Sequence, residues 1–76
     1  MTMKLFRLDV WKISGTARKD FTTYLAPSAV MGLDRVDGVT HVHTLQGTYF
    51  STTLPDIILQ GIEDVTRLNN RISMLN

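Results

Sequence analysis

His41 and His43 are spaced i,i+2 within a β-branched run, so on an extended strand both imidazoles project from one face. Asp34 lies upstream across the two-residue turn Asp37-Gly38, a spacing that puts its carboxylate directly opposite His41. Two imidazoles and a carboxylate on one face suit zinc or another divalent cation, which makes Asp34, His41 and His43 the candidate metal ligands. The alternative is that Asp34 simply orients His41 through a hydrogen bond. The same row reaches Thr52 and orders acid, base and hydroxyl. A threonine in mid-strand, however, has neither an oxyanion hole nor a strained nucleophile position. The chain has no spaced carboxylate pair, no glycine-rich loop entering a helix and no nucleotide-fold fingerprint. The residues therefore read as non-enzymatic and call for no cofactor.

A second constellation falls on the opposite strand face. Arg35, Thr40 and Thr53 share a row there, with Thr44 and Ser51 on the same side. A guanidinium with a band of hydroxyls suits a small anionic ligand, phosphate or nucleotide-like, above all at a subunit boundary. The third constellation is basic. Lys4, Arg7, Lys12, Arg18 and Lys19 interleave with Phe6, Trp11, Phe21 and Tyr24, a pattern that can attract phosphate and stack bases. A net charge of +1 is small for a domain that binds duplex by charge alone. A solvated basic edge that discourages edge-to-edge pairing explains the same residues. Beyond Lys19 the balance turns acidic, so complementary self-assembly is a further reading.

The elements that must position these residues follow from a metre in the middle of the chain. Val30–Val36, the turn Asp37-Gly38, Val39–Leu45, the turn Gln46-Gly47 and Thr48–Leu54 alternate strand and hairpin signals. With both loops two residues long, one face carries Val36–Val39–Leu54, Asp34–His41–Thr52 and Gly32–His43–Phe50. The other carries Arg35–Thr40–Thr53, Leu33–Val42–Ser51 and Met31–Thr44–Tyr49. The first is the more apolar at its ends and is the face expected to meet the helix. Upstream, Met3–Ile13 and Arg18–Ala26 read as strands around the turn Ser14-Gly15-Thr16-Ala17, with Pro27-Ser28 as a breaker. Downstream, Pro55 opens a helix, with Asp56 at its positive end. Ile58, Ile62, Val65, Leu68, Ile72 and Leu75 form an apolar stripe, and Glu63 and Arg67 an i,i+4 pair.

The fold class is therefore α+β: a five-stranded antiparallel meander or partly closed small barrel with one C-terminal helix. It forms a single domain over 1–76, divided into a basic β-hairpin (1–26), a three-stranded meander (30–54) and the helix (55–75). Seventy-six residues bury only ~60–65% of their unfolded surface, and no cysteine is available to staple them. A helix of about twenty residues outruns a seven-residue strand, so its C-terminal turns should overhang the sheet and seek a partner. Val65, Leu68, Ile72 and Leu75 are the expected homo-oligomer interface. No run approaches the ~18–20 apolar residues of a membrane span, and Met1–Trp11 lacks the apolar core of a signal peptide. A cytoplasmic protein with no membrane partner is expected.

The stretch Tyr24–Ile62 resembles the small motility-associated proteins of the FlbD type. The likeness lies in Leu25-Ala26-Pro27, Gly38-Val39-Thr40-x-Val42, Leu45-Gln46-Gly47 and Leu54-Pro55-Asp56-Ile57-Ile58. The strand-turn-strand-helix order is also similar to part of the LytTR DNA-binding domain. Both resemblances imply a regulatory or interaction role without catalysis. The long basic first strand and the Asp34/His41/His43 face depart from the first, and no binding residue transfers from either. The expectation is a homo-oligomeric module that modulates another protein by contact. The alternatives are a protein sequestering a phosphorylated ligand and a nucleic-acid-binding regulator using the basic hairpin.

Overall fold

The computed structural model describes residues 3–74. Strands β1 (Phe6–Ser14) and β2 (Ala17–Leu25) pair along their whole length, from Phe6↔Leu25 to Ser14↔Ala17. Their turn has a positive φ of 63° at Gly15 and none at Thr16, the pattern of a type II′ hairpin. A short 3₁₀ turn, Pro27–Ala29, ends β2 where proline removes a strand donor. Strands β3 (Val30–Val36) and β4 (Val39–Thr44) meet at Asp37-Gly38, whose φ values of 52° and 79° make a type I′ turn. Strand β5 (Gly47–Ser51) and helix α1 (Pro55–Met74) complete the chain. The result is an α+β domain with five antiparallel strands in one sheet and one C-terminal helix. The sheet does not close: its order is β2-β1-β5-β4-β3. β5 takes the centre, joined to β1 by the pair Trp11↔Phe50, so the hairpin and the three-stranded unit meet through the last strand.

The β3–β4 register is the expected one from Val36↔Val39 to Gly32↔His43, after which a bulge at Met31 lets Val30 pair with Thr44. The β4–β5 register differs by two residues. The turn is Leu45-Gln46 and not Gln46-Gly47, and the pairs run Thr44↔Gly47, His43↔Thr48, Val42↔Tyr49, His41↔Phe50 and Thr40↔Ser51. Thr44 sets this register. Its hydroxyl donates to the Gly47 carbonyl (2.8 Å) and accepts the Gln46 N–H (3.2 Å), while Gly47 absorbs a φ of 125° just past the turn. A slip of two preserves every side chain's face but replaces every partner. The Asp34–His41 row therefore reaches Phe50 in place of Thr52.

The helix lies on the face opposite to the expected one. Phe6, Leu8, Val10, Leu25, Val42, Tyr49 and Ile58 form the buried core, with Phe21, Val30, Leu33, Ile62 and Val65 packed against it. These are the Leu33–Val42–Tyr49 row and the residues of β1 and β2 that continue it. The three-stranded count omitted Phe6, Leu8 and Val10, which make this the larger apolar surface. At the start of α1 the N–H groups of Ile57 and Ile58 both donate to the Leu54 carbonyl at 3.1 Å. Arg67 stands 4.0 Å from Asp64 and not against Glu63.

Asn69 fastens the far half of the helix: it accepts the Lys4 N–H (2.7 Å) and donates to the Lys4 carbonyl (3.0 Å). Beyond it only Ile72 is half-buried among the described residues. The molecule is elongated, 47 × 21 × 16 Å, with a radius of gyration of 13.5 Å. A compact chain of this length would have about 11 Å. No helix among the described residues is long and apolar enough to cross a membrane.

Candidate binding face of the open sheet

With α1 on one side, the other side of the sheet is uncovered, and its centre is aromatic. Trp11 on β1 and Phe50 on β5 are paired across the strands and stack with centroids 6.1 Å apart and planes at 30°. His41 on β4 meets Phe50 edge-on at 5.0 Å. The Arg18 guanidinium lies 3.9 Å over the Trp11 ring, a cation–π contact that props the indole from the β2 side. Ile13, Val36, Val39 and Asp37 complete a shallow depression of about 320 Å³ around Trp11, His41 and Phe50. Ile13 is 55% and Val36 50% exposed. A solvated sheet face normally alternates to polar residues, so this apolar centre is the unusual feature. In the sequence Trp11 is one aromatic of a basic strand. Its partnership with Phe50 depends on the β1–β5 pairing, for which the sequence holds no turn signal.

Of the metal candidates, Asp34 stands opposite His41 in register but bonds the diagonal neighbour. His43 Nε2 and Asp34 Oδ2 are 2.8 Å apart, and His43 Nδ1 is 3.0 Å from the Thr48 hydroxyl. A carboxylate only accepts, so Nε2 carries the proton here; in the neutral ring Nδ1 accepts from Thr48. Gly32, directly across from His43, has no side chain to block the reach of Asp34. His41 turns instead to Phe50, its ring centroid 6.3 Å from that of His43. Among the described residues no group of three or more His, Asp or Glu stands close enough to hold a metal ion. The three residues share a face but do not converge. Both nitrogens of His43 are already engaged.

The hydroxyl band is also placed differently from its expected role. Thr40 and Ser51 are 0% exposed and Thr44 is buried, all on the helix side. Thr40 donates to the Thr53 carbonyl (2.6 Å). Ser51 donates to the Asp9 carbonyl (3.0 Å) and accepts the Thr53 N–H (3.1 Å). Thr44 closes its own turn. Each of these hydroxyls is engaged by backbone groups of this chain, and Arg35 is exposed at the end of the row. Of the expected oligomer residues, Val65 packs on the chain's own core and Leu68 is 39% exposed. Ile72 is half-buried, and Leu75 lies outside the described residues.

No protein family, no curated protein and no solved structure matches the chain.

Proposed function

We propose that the chain is a non-enzymatic, homo-oligomeric binding module that works by direct protein contact, with the open sheet face around Trp11, Phe50 and His41 as its contact surface. One observation carries the reading: an apolar, aromatic centre on the side of an antiparallel sheet that α1 leaves uncovered. A second copy is the occupant that the marginal size of the domain most needs. An interface across the central strand is self-complementary under a two-fold axis. Five strands of five to nine residues, spaced ~4.8 Å apart, offer roughly 550 Å² of flat area, about two-thirds of one partner's share in a standard interface. The association is accordingly weak and concentration-dependent.

Charge argues against the nucleic-acid alternative on this face. Arg7 pairs with Asp9 (3.5 Å) and Arg18 with Asp20 (2.9 Å), so both arginines are neutralised by neighbours beside the aromatic centre. Asp34 adds a further negative charge there. The experiment is light scattering over a hundredfold concentration range, with emission from Trp11, the single tryptophan, as the local probe. Dilution should dissociate the wild type and shift Trp11 emission to the red. The double variant Trp11→Ser/Phe50→Ser should stay monomeric at every concentration with an unchanged far-UV spectrum. A wild type that is monomeric throughout would sink the proposal.

A further inference from the structure

The helix covers only part of its own sheet face, and at the tip of the β1–β2 hairpin that face is open and purely cationic. Lys12 and Lys19 are directly paired across the strands and therefore project from the same side. Like charges in that position repel. Among the described residues neither lysine has a carboxylate within ion-pair distance, because the nearby acids are spent elsewhere: Asp9 on Arg7 and Asp20 on Arg18, both on the opposite face. The strand residues that share the side of Lys12 and Lys19 include no Asp or Glu at all. Lys12 is held in place regardless. Its ammonium sits 4.5 Å from the centroid of Tyr49, whose ring is in turn fixed edge-on against Phe21 at 5.8 Å. Lys12, Ile13, Ser14, Lys19 and Phe21 line a cavity of about 560 Å³ at the hairpin edge. That volume is within the range of small-molecule sites, which combine an apolar floor with a few converging polar groups.

We propose that this cleft binds a phosphorylated small molecule of mononucleotide size, its phosphate bracketed by Lys12 and Lys19 and its apolar body lying on Phe21. Cross-strand partners stand ~5 Å apart at Cβ, which lets two flexible ammonium groups close on one tetrahedral dianion. The Ser14 hydroxyl is a further donor at the rim. A bound phosphate would remove the repulsion that the free protein carries, so the site is arranged to be stabilised by its ligand. It lies on the other side of the sheet from the Trp11–Phe50 surface and stands or falls independently of it.

The test is a thermal-shift and calorimetric titration with inorganic phosphate and with adenosine monophosphate, chloride being used to hold ionic strength constant. Both should raise the melting temperature of the wild type, the nucleotide more. Lys12→Gln and Lys19→Gln should each weaken nucleotide binding by about ten- to a hundredfold, the loss expected for one charge-assisted contact. Without ligand, Lys19→Gln should melt at or above the wild-type temperature, since it relieves the like-charge pair; a lost response then reports the site and not the fold. Phe21→Leu should bring nucleotide affinity down to that of inorganic phosphate. No shift with either compound, an undiminished shift in the lysine variants, or equal affinity for phosphate and nucleotide in the wild type would each overturn the proposal.

Discussion

Removing the Ser51 hydroxyl tests whether the buried hydroxyls belong to the fold or to a ligand site. Ser51 is fully buried at the end of β5, where it donates to the Asp9 carbonyl of β1 and accepts the Thr53 N–H of the bend that leads to α1. Ser51→Ala removes both hydrogen bonds, each worth about 0.5–1.5 kcal/mol net. The two together amount to about 1–3 kcal/mol. A chain of this length has only about 4–11 kcal/mol of stability in all. With a urea m-value of ~1 kcal/mol/M, the unfolding midpoint should fall by about 1–3 M.

The assay is equilibrium urea unfolding followed by Trp11 emission, because Trp11 sits on the β1–β5 seam that Ser51 ties. Thr52→Ala, an exposed neighbour, is the control and should stay within about 0.5 kcal/mol of the wild type. A Ser51→Ala midpoint within 0.5 M of the wild type would refute the argument that this hydroxyl substitutes for strand pairing. It would return Ser51 to the pool of ligand-facing candidates.

Two further substitutions bear on the helix. Gly61 has nothing within 4 Å of the position its Cβ would take, so Gly61→Ala should stabilise the protein by about 1 kcal/mol through helix propensity alone, read as a higher melting temperature. A lower one would mean that something packs on that surface in solution. Asn69→Ala removes both hydrogen bonds to Lys4 and should cost about 1–2 kcal/mol. Amide exchange should speed up at Lys4 and in the last turns of α1 while the β3–β4–β5 amides stay protected; uniform loss of protection would contradict a local clamp.

Local chemistry made most of the elements legible in the sequence. Asp37-Gly38 specifies a type I′ turn because both positions need positive φ, and Pro55 marks a helix start because its missing N–H costs nothing there. The β4–β5 turn lies one residue earlier than Gln46-Gly47, because the Thr44 hydroxyl closes the loop at Leu45-Gln46 and Gly47 falls just past it, which shifts the strand register by two. A slip of two leaves the alternation intact, so each residue keeps its side of the sheet while the β4–β5 partners change, and the helix covers the side opposite to the expected one. Asp34 and His43 illustrate the same limit. Their shared face follows from parity, but the bond is diagonal, set by the side-chain rotamers and not by the register.

The metal-like trio and the hydroxyl band were both visible as sets of residues, yet neither set became a site. Which face is covered depends on where β1 docks, and no turn or spacing encodes that contact. Once β1 lies beside β5, Phe6, Leu8 and Val10 enlarge the Leu33–Val42–Tyr49 side and draw α1 onto it, burying Thr40 and Ser51. The same docking brings Trp11 to Phe50 on the side left open and sets the Lys12 ammonium over the Tyr49 ring on the other. Strand identity, turn position and side-chain parity are properties of a few neighbouring residues, and the sequence alone determined them. The partner of the central strand, and with it which residues meet solvent, is a long-range packing choice that only the tertiary structure decided.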